Sequence, residues 1–143
     1  MHLLVALDDS EPGRAALEYA LSEHPDAEIT VVHVVDPTES GYGEFAHLGP
    51  DRMLEHRHEQ AENLFEEVLE RASERDRSIE TAVIDGRPAA AIVEYAHEHD
   101  VDRIVVGSHG RTGVSRVVLG SVAERIARRA PVPVTIVPGT ERR

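Results

Sequence analysis

The chain contains no cysteine and no lysine. Without cysteine neither a disulfide framework nor a thiolate metal site can form, which fits a reducing compartment. Without lysine all 15 basic residues are arginines, so the lysine of a Walker-type phosphate loop and the amine of Schiff-base chemistry are both excluded. No apolar run approaches the ~20 residues that span a bilayer. The opening "MHLLVALDDSEPG" has neither the basic head nor the apolar length of a signal peptide, so no membrane association and a cytoplasmic location are expected. Positive charge is scarce as well: 27 Asp plus Glu give a net charge of -12, and most of the surface would repel a nucleic-acid backbone. A lysine-free acidic surface would also suit a salty, halophile-like cytoplasm.

What is present is a regular alternation. At 143 residues the chain is the size of a single globular domain, expected to span residues 1-143. Strand-like runs recur as "LLVAL" at 3 to 7, "ITVVHVV" at 29 to 35, "IETAVI" at 79 to 84, "RIVVG" at 103 to 107 and "VPVTIV" at 132 to 137. Between them lie helical stripes. The first helix is expected over 11 to 23 with Ser10 or Asp9 as its cap, the second carries Leu54, His58, Ala61, Phe65, Val68 and Ala72, and the third carries Ala89, Ile92, Val93 and Ala96. A fourth opens near Ser121 and ends where Arg125, Arg128 and Arg129 meet Pro131.

Strands this continuously apolar, alternating with helices, imply a doubly wound α/β fold with a parallel sheet covered on both faces. Periodicity alone leaves the strand order open. The last run has Pro133 inside it and Pro131 and Pro138 around it, which assigns it to a sheet edge that is either blunted by proline or open to a partner. Residues 36 to 53 read as one long connection.

Candidate function gathers where strands end, since open α/β sheets bind ligands at their carboxyl edge. Gly107 and Gly110 would allow close backbone approach to an anion, and Gly120-Ser121 opens a helix whose free amides favour phosphate. Plain turn chemistry accounts for the same glycines equally simply. Asp8 leaves the first strand at the same edge, where it could hold a magnesium ion or accept from a ribose hydroxyl. Arg87 and Arg111 could neutralise phosphate, and the ring of His109 could donate to one. His56 and His58, like His97 and His99, are two residues apart and share no helix face, which argues against a metal site. His33 fits a satisfied interior histidine. No Ser-His-Asp or paired-carboxylate arrangement is legible, so binding is favoured over catalysis.

The stretches "VALDDSEPGRAALEYAL", "VVHVVD" and "VVGSHGRTGVSRVVLGSVAERIARRAPVPVTIV", with the order of elements between them, resemble the universal stress protein family over essentially the whole chain. Gly107, two residues, Gly110, nine residues, then Gly120 and Ser121 match the motif of its ATP-binding members. The resemblance implies an adenine nucleotide alpha-hydrolase-like sandwich with strand order 3-2-1-4-5, and ATP or another adenine nucleotide bound with Mg²⁺ or Mn²⁺. It further implies that Asp8 lies near the ribose or metal, that the backbone of Val34 reads adenine, and that Gly107, His109, Gly110, Arg111, Gly120, Ser121 and Val122 line the phosphate side. A homodimer through the last strand is implied too. The function expected is a nucleotide-dependent stress-response or signalling module; the other classes are a slow ATPase or phosphotransferase with Ser108 or Ser121 as acceptor, and a nucleotide-free interaction protein.

Overall fold

A computed structural model describes residues 1-38, 49-109 and 119-139. The elements alternate as β1 (His2–Ala6), α1 (Glu11–Glu23), β2 (Glu28–Val35), α2 (Pro50–Ser73), β3 (Glu80–Asp85), α3 (Pro88–Glu98), β4 (Arg103–Gly107), α4 (Ser121–Arg129) and β5 (Val134–Val137). All pairings are parallel, in the order β3-β2-β1-β4-β5. This is the α/β nucleotide-hydrolase-like order. Of the connection expected over 36 to 53, residues 39 to 48 lie outside the described residues, and α2 already begins at Pro50, four residues before the first member of its apolar stripe. Pro50 at the first helical position explains the early start, because its fixed φ suits a helix and its missing N-H is not needed there.

Side chains alternate along each strand and divide the core in two. Leu3, Val5 and Leu7 of the first strand and its end pack with Ala16, Leu17, Ala20 and Leu21 of α1 and Leu64, Phe65 and Val68 of α2. Leu4, Ala6, Ile104 and Val106 face Ala89, Ile92 and Ala96 of α3 and Ala123 and Ile126 of α4. Each layer is apolar, and Leu3, Leu4, Val5, Ile104 and Ile126 are fully buried. The sheet is therefore covered on both faces, as its uninterrupted hydrophobic strands require.

Charge ties α2 across α1. Arg14 lies 2.8 Å from Asp9 and 3.1 Å from Glu67, while Arg71 and Arg75 both reach Glu18. Arg77, in the turn after α2, donates to the carbonyls of Leu21, His24 and Ala27 at 3.0 to 3.1 Å. The carbonyls of Leu21 and His24 belong to the end of α1 and that of Ala27 to the turn before β2, so one arginine fastens the exit of a helix that has no basic residue in its own last turn.

Two strands form the edges of the sheet. On β5 the carbonyl of Pro133 accepts from Ile104 N and that of Val137 from Ser108 N, so the odd-numbered residues turn their polar groups inward to β4. The missing N-H of Pro133 is therefore on the paired side, and the outward polar groups belong to Val134 and Ile136. On β3 the Gly86 N-H donates to Val35, so Thr81, Val83 and Asp85 face outward, between exposed Glu80 and exposed Asp85.

Candidate functional site: the crevice between β1 and β4

The chain leaves β1 for α1 on one face and leaves β4 for α4 on the other, although the two strands are neighbours, with Ala6 opposite Val106. This divergence opens a crevice at the carboxyl edge. Asp8 stands at its β1 side, two residues past the last β1 rung, and Ser108 and His109 stand at its β4 side.

Ser10 caps α1: its hydroxyl accepts from Gly13 N at 3.0 Å, with extended backbone at φ -119° and ψ 162°. That hydroxyl also donates to Asp8 Oδ1. Ser10 is buried and Asp8 half-buried, so the pair sits at the crevice wall rather than in bulk solvent.

On the β4 side the first turn of α1 wedges against Gly107. A β-carbon there would stand 2.7 Å from Pro12 C, 2.8 Å from Pro12 O and 2.9 Å from Gly13 N. No other residue fits without moving the helix. Gly107 thus has a packing reason of its own, independent of any anion.

Gly120 closes the other end of the loop. Its N-H donates to Ser108 O at 2.7 Å, and a β-carbon on it would lie 2.9 Å from His109 Cα. The pinch brings the start of α4 onto the end of β4. There Ser121 and Val122 are exposed, and the N-cap Gly120 contributes no side-chain hydrogen bond to the helix. The first amides of α4 are therefore presented outward with the positive end of the helix dipole. Ser108 Oγ lies 3.1 Å from His109 Nδ1, close enough to orient the ring. Gly110 and Arg111 lie outside the described residues.

Val34 lies farther along the same edge. Val35 O accepts from Gly86 on the β3 side, so the polar groups of Val34 point the other way, over the end of β1. There His33 Nδ1 donates to Leu7 O at 2.8 Å, occupying the carbonyl that would otherwise carry the next β1-β2 rung. His33 is satisfied, as the sequence suggested, but half-buried rather than interior, and its partner is a strand-ending carbonyl.

Asp36 and Asp85 complete the rim. The Thr38 hydroxyl and amide hold the Asp36 carboxyl below the usual carboxylate range, helped by nearby Arg87 and Arg57. His58 Nε2 lies 2.8 Å from Asp85 Oδ1 at an exposed boundary. Arg87 therefore has a carboxylate neighbour in Asp36, which accounts for it without a phosphate. Among the described residues no three His, Asp or Glu side chains are grouped to hold a metal ion, and no helix is long and apolar enough to cross a membrane.

Sequence reasoning brought Asp8, Val34, Gly107, His109, Gly120, Ser121 and Val122 to one edge, and the structure collects them there. It missed the Ser10-Asp8 hydrogen bond and the His33-Leu7 contact. The signal for the first was an acidic residue two positions before a helix-capping serine.

A sequence profile of the universal stress protein family matches residues 1–138. A universal stress protein of Methanocaldococcus jannaschii is 33% identical over 144 residues, covering 94% of this chain and 80% of its own length. One from Bacillus subtilis is 32% identical and covers 94% and 97%. Among solved structures, a universal stress protein of Lactobacillus plantarum superposes with a TM-score of 0.84 at 23% identity, covering 96% and 97% of the two chains. A universal stress protein in complex with cAMP superposes at 0.65 and 24% identity, covering 96% of each chain. A family member from Arabidopsis thaliana with AMP bound superposes at 0.69 and 18% identity, covering 98% and 92%.

Proposed function

The chain belongs to the universal stress protein family, and from that premise we propose that it binds an adenine nucleotide in the crevice between β1 and β4, as a stress-response or signalling module. One observation carries the reading: Gly120 folds the start of α4 onto Ser108 and His109, which brings helix amides with no partner among the described residues to the β4 side of a crevice whose β1 side carries Asp8. Neighbours of the same fold solved with cAMP and AMP support the ligand class. ATP is favoured because Gly107, Gly110, Gly120 and Ser121 keep the spacing of ATP-binding relatives.

In this reading the amides of Ser121 and Val122, the Ser121 hydroxyl, His109 and Arg111 receive the phosphates. Gly110 allows close approach, and the outward-facing backbone of Val34 meets the base. Asp8 takes a ribose hydroxyl or a cation carried in by the nucleotide. Mg²⁺ binds through one or two carboxylates plus phosphate oxygens, so Asp8 fits as a single ligand to a nucleotide-borne ion but not as a protein-only site. The residues named supply positioning and charge, so occupancy rather than turnover is the signal expected on this reading.

Calorimetric titration with ATP and Mg²⁺ tests this directly. Binding is expected, and its absence at millimolar nucleotide overturns the proposal. Gly110→Val is expected to weaken ATP by at least tenfold with unchanged thermal stability, because the added bulk blocks the phosphate path; unchanged affinity removes the loop from the site.

A further inference from the structure

The structure assigns Ser10 a second task beyond capping α1: we propose that it is a positioning residue for Asp8, fixing which carboxylate oxygen faces the nucleotide and thereby the preference for ribose over deoxyribose. The inference rests on the nucleotide reading above. A cap needs only an acceptor, and an aspartate or asparagine at position 10 would serve Gly13 N as well as serine does. The serine hydroxyl does more, since it accepts from Gly13 N at 3.0 Å and gives its proton to Asp8 Oδ1. Only a hydroxyl can accept and donate in this way through one atom.

Three surrounding features belong to the same arrangement. Ser10 is 6% exposed, so water competes poorly for its proton. Gly13 leaves the room for the carboxylate, because a β-carbon there would stand 2.6 Å from Asp8 Oδ1 and 3.1 Å from Ser10 Oγ. The hydrogen-bond chain from Gly13 N through Ser10 to Asp8 connects the carboxylate to the positive end of α1. That connection offsets the repulsion a carboxylate exerts on phosphates in the same crevice.

With Oδ1 held by Ser10, Oδ2 is the oxygen left to the ligand. A single fixed acceptor suits one sugar hydroxyl, whereas a cation can be reached by either oxygen of a swinging carboxylate. Ser10 thus converts Asp8 from a general anion into a reader of the sugar.

The test compares ATP with 2′-deoxy-ATP and 3′-deoxy-ATP on the full chain by calorimetry. The parent chain should prefer ATP to at least one analogue by about tenfold, the worth of one hydrogen bond to a charged group. Ser10→Asp keeps the cap and removes the donor; Ser10→Gly removes the donor without adding charge and costs the cap little. Both variants should bind ATP and the analogue equally, and Ser10→Thr should restore the preference. A purely structural role would lower all affinities together and leave the ratio intact, so retention of the preference in both Ser10→Asp and Ser10→Gly overturns the proposal. Parent binding without sugar preference overturns it also while leaving the nucleotide reading standing. Failure of the parent chain to bind ATP overturns both.

Discussion

At the scale of residues, the strongest constraints come from close approaches that a string of letters conceals. Gly107 reads as one glycine of a phosphate motif, yet its α-carbon lies where a side chain would collide with the backbone of Pro12 and Gly13. Overpacking of this kind costs about 1 to 3 kcal/mol. Gly107→Ala is therefore expected to lower the denaturant midpoint by that measure whether or not nucleotide is added. An effect seen only with ligand would assign the glycine to the phosphate instead. The positions of Asp8, His109 and Ser121 at one edge were legible because strand ends and helix starts follow from apolar runs and caps, whereas Val34 came from the family resemblance alone. The partners of Ser10 and His33 were not, because each bonds to a group brought near only by the pairing of β1 with its neighbours or by the turn into α1.

At the scale of elements, ion pairs and arginine hydrogen bonds supplement the apolar packing of α1 and α2, and each fastener has a distinct signature. Arg77→Ala removes the guanidinium bonds to the carbonyls of Leu21, His24 and Ala27, of which His24 keeps the Ala27 amide, and a loss of about 2 kcal/mol in urea unfolding is expected. Arg77→Lys should recover only part of it, since one ammonium cannot reproduce the planar fork. Hydrogen bonds from Arg14 lower the folded-state pKa of Glu67, while desolvation works the other way. The stabilisation is present in full above the ordinary glutamate value of about 4.3 and is lost as pH falls through the lowered folded value. Glu67→Gln should flatten the acid limb of stability below about pH 5, measured as denaturant midpoint against pH; an unchanged limb removes this carboxylate from the acid response. Element order and type were plain from periodicity, whereas boundaries moved at α2 and at β5, where proline chemistry decides the first and the reach of β4 the second.

At the scale of the whole molecule, the alternation of β and α was enough to assign a doubly wound sheet, but only the family resemblance chose among strand orders. The reason is physical: right-handed crossovers permit several orders, and the choice depends on which face each helix covers. The same limit applied to β5, where counting prolines could not tell a blunted edge from an open one. The direction of its hydrogen bonds favours an open edge. The missing donor of Pro133 faces β4, so Val134 and Ile136 retain outward polar groups, and pairing of two copies along β5 is the assembly we expect. Val134→Pro removes an outward donor while sparing the inner ladder, so it should convert a dimer to a folded monomer in sedimentation velocity. A parent chain that sediments as a monomer, or a variant that stays dimeric, would reject this edge. The pairing must overcome a charge of -12 on each copy and should strengthen as salt rises. Joined at β5, two copies present only β3 to the outside, and Glu80 and Asp85 flank that strand with like charge against any third. In the language of polymers, that assembly would give the molecule a valence of one, able to end a chain and not to extend it.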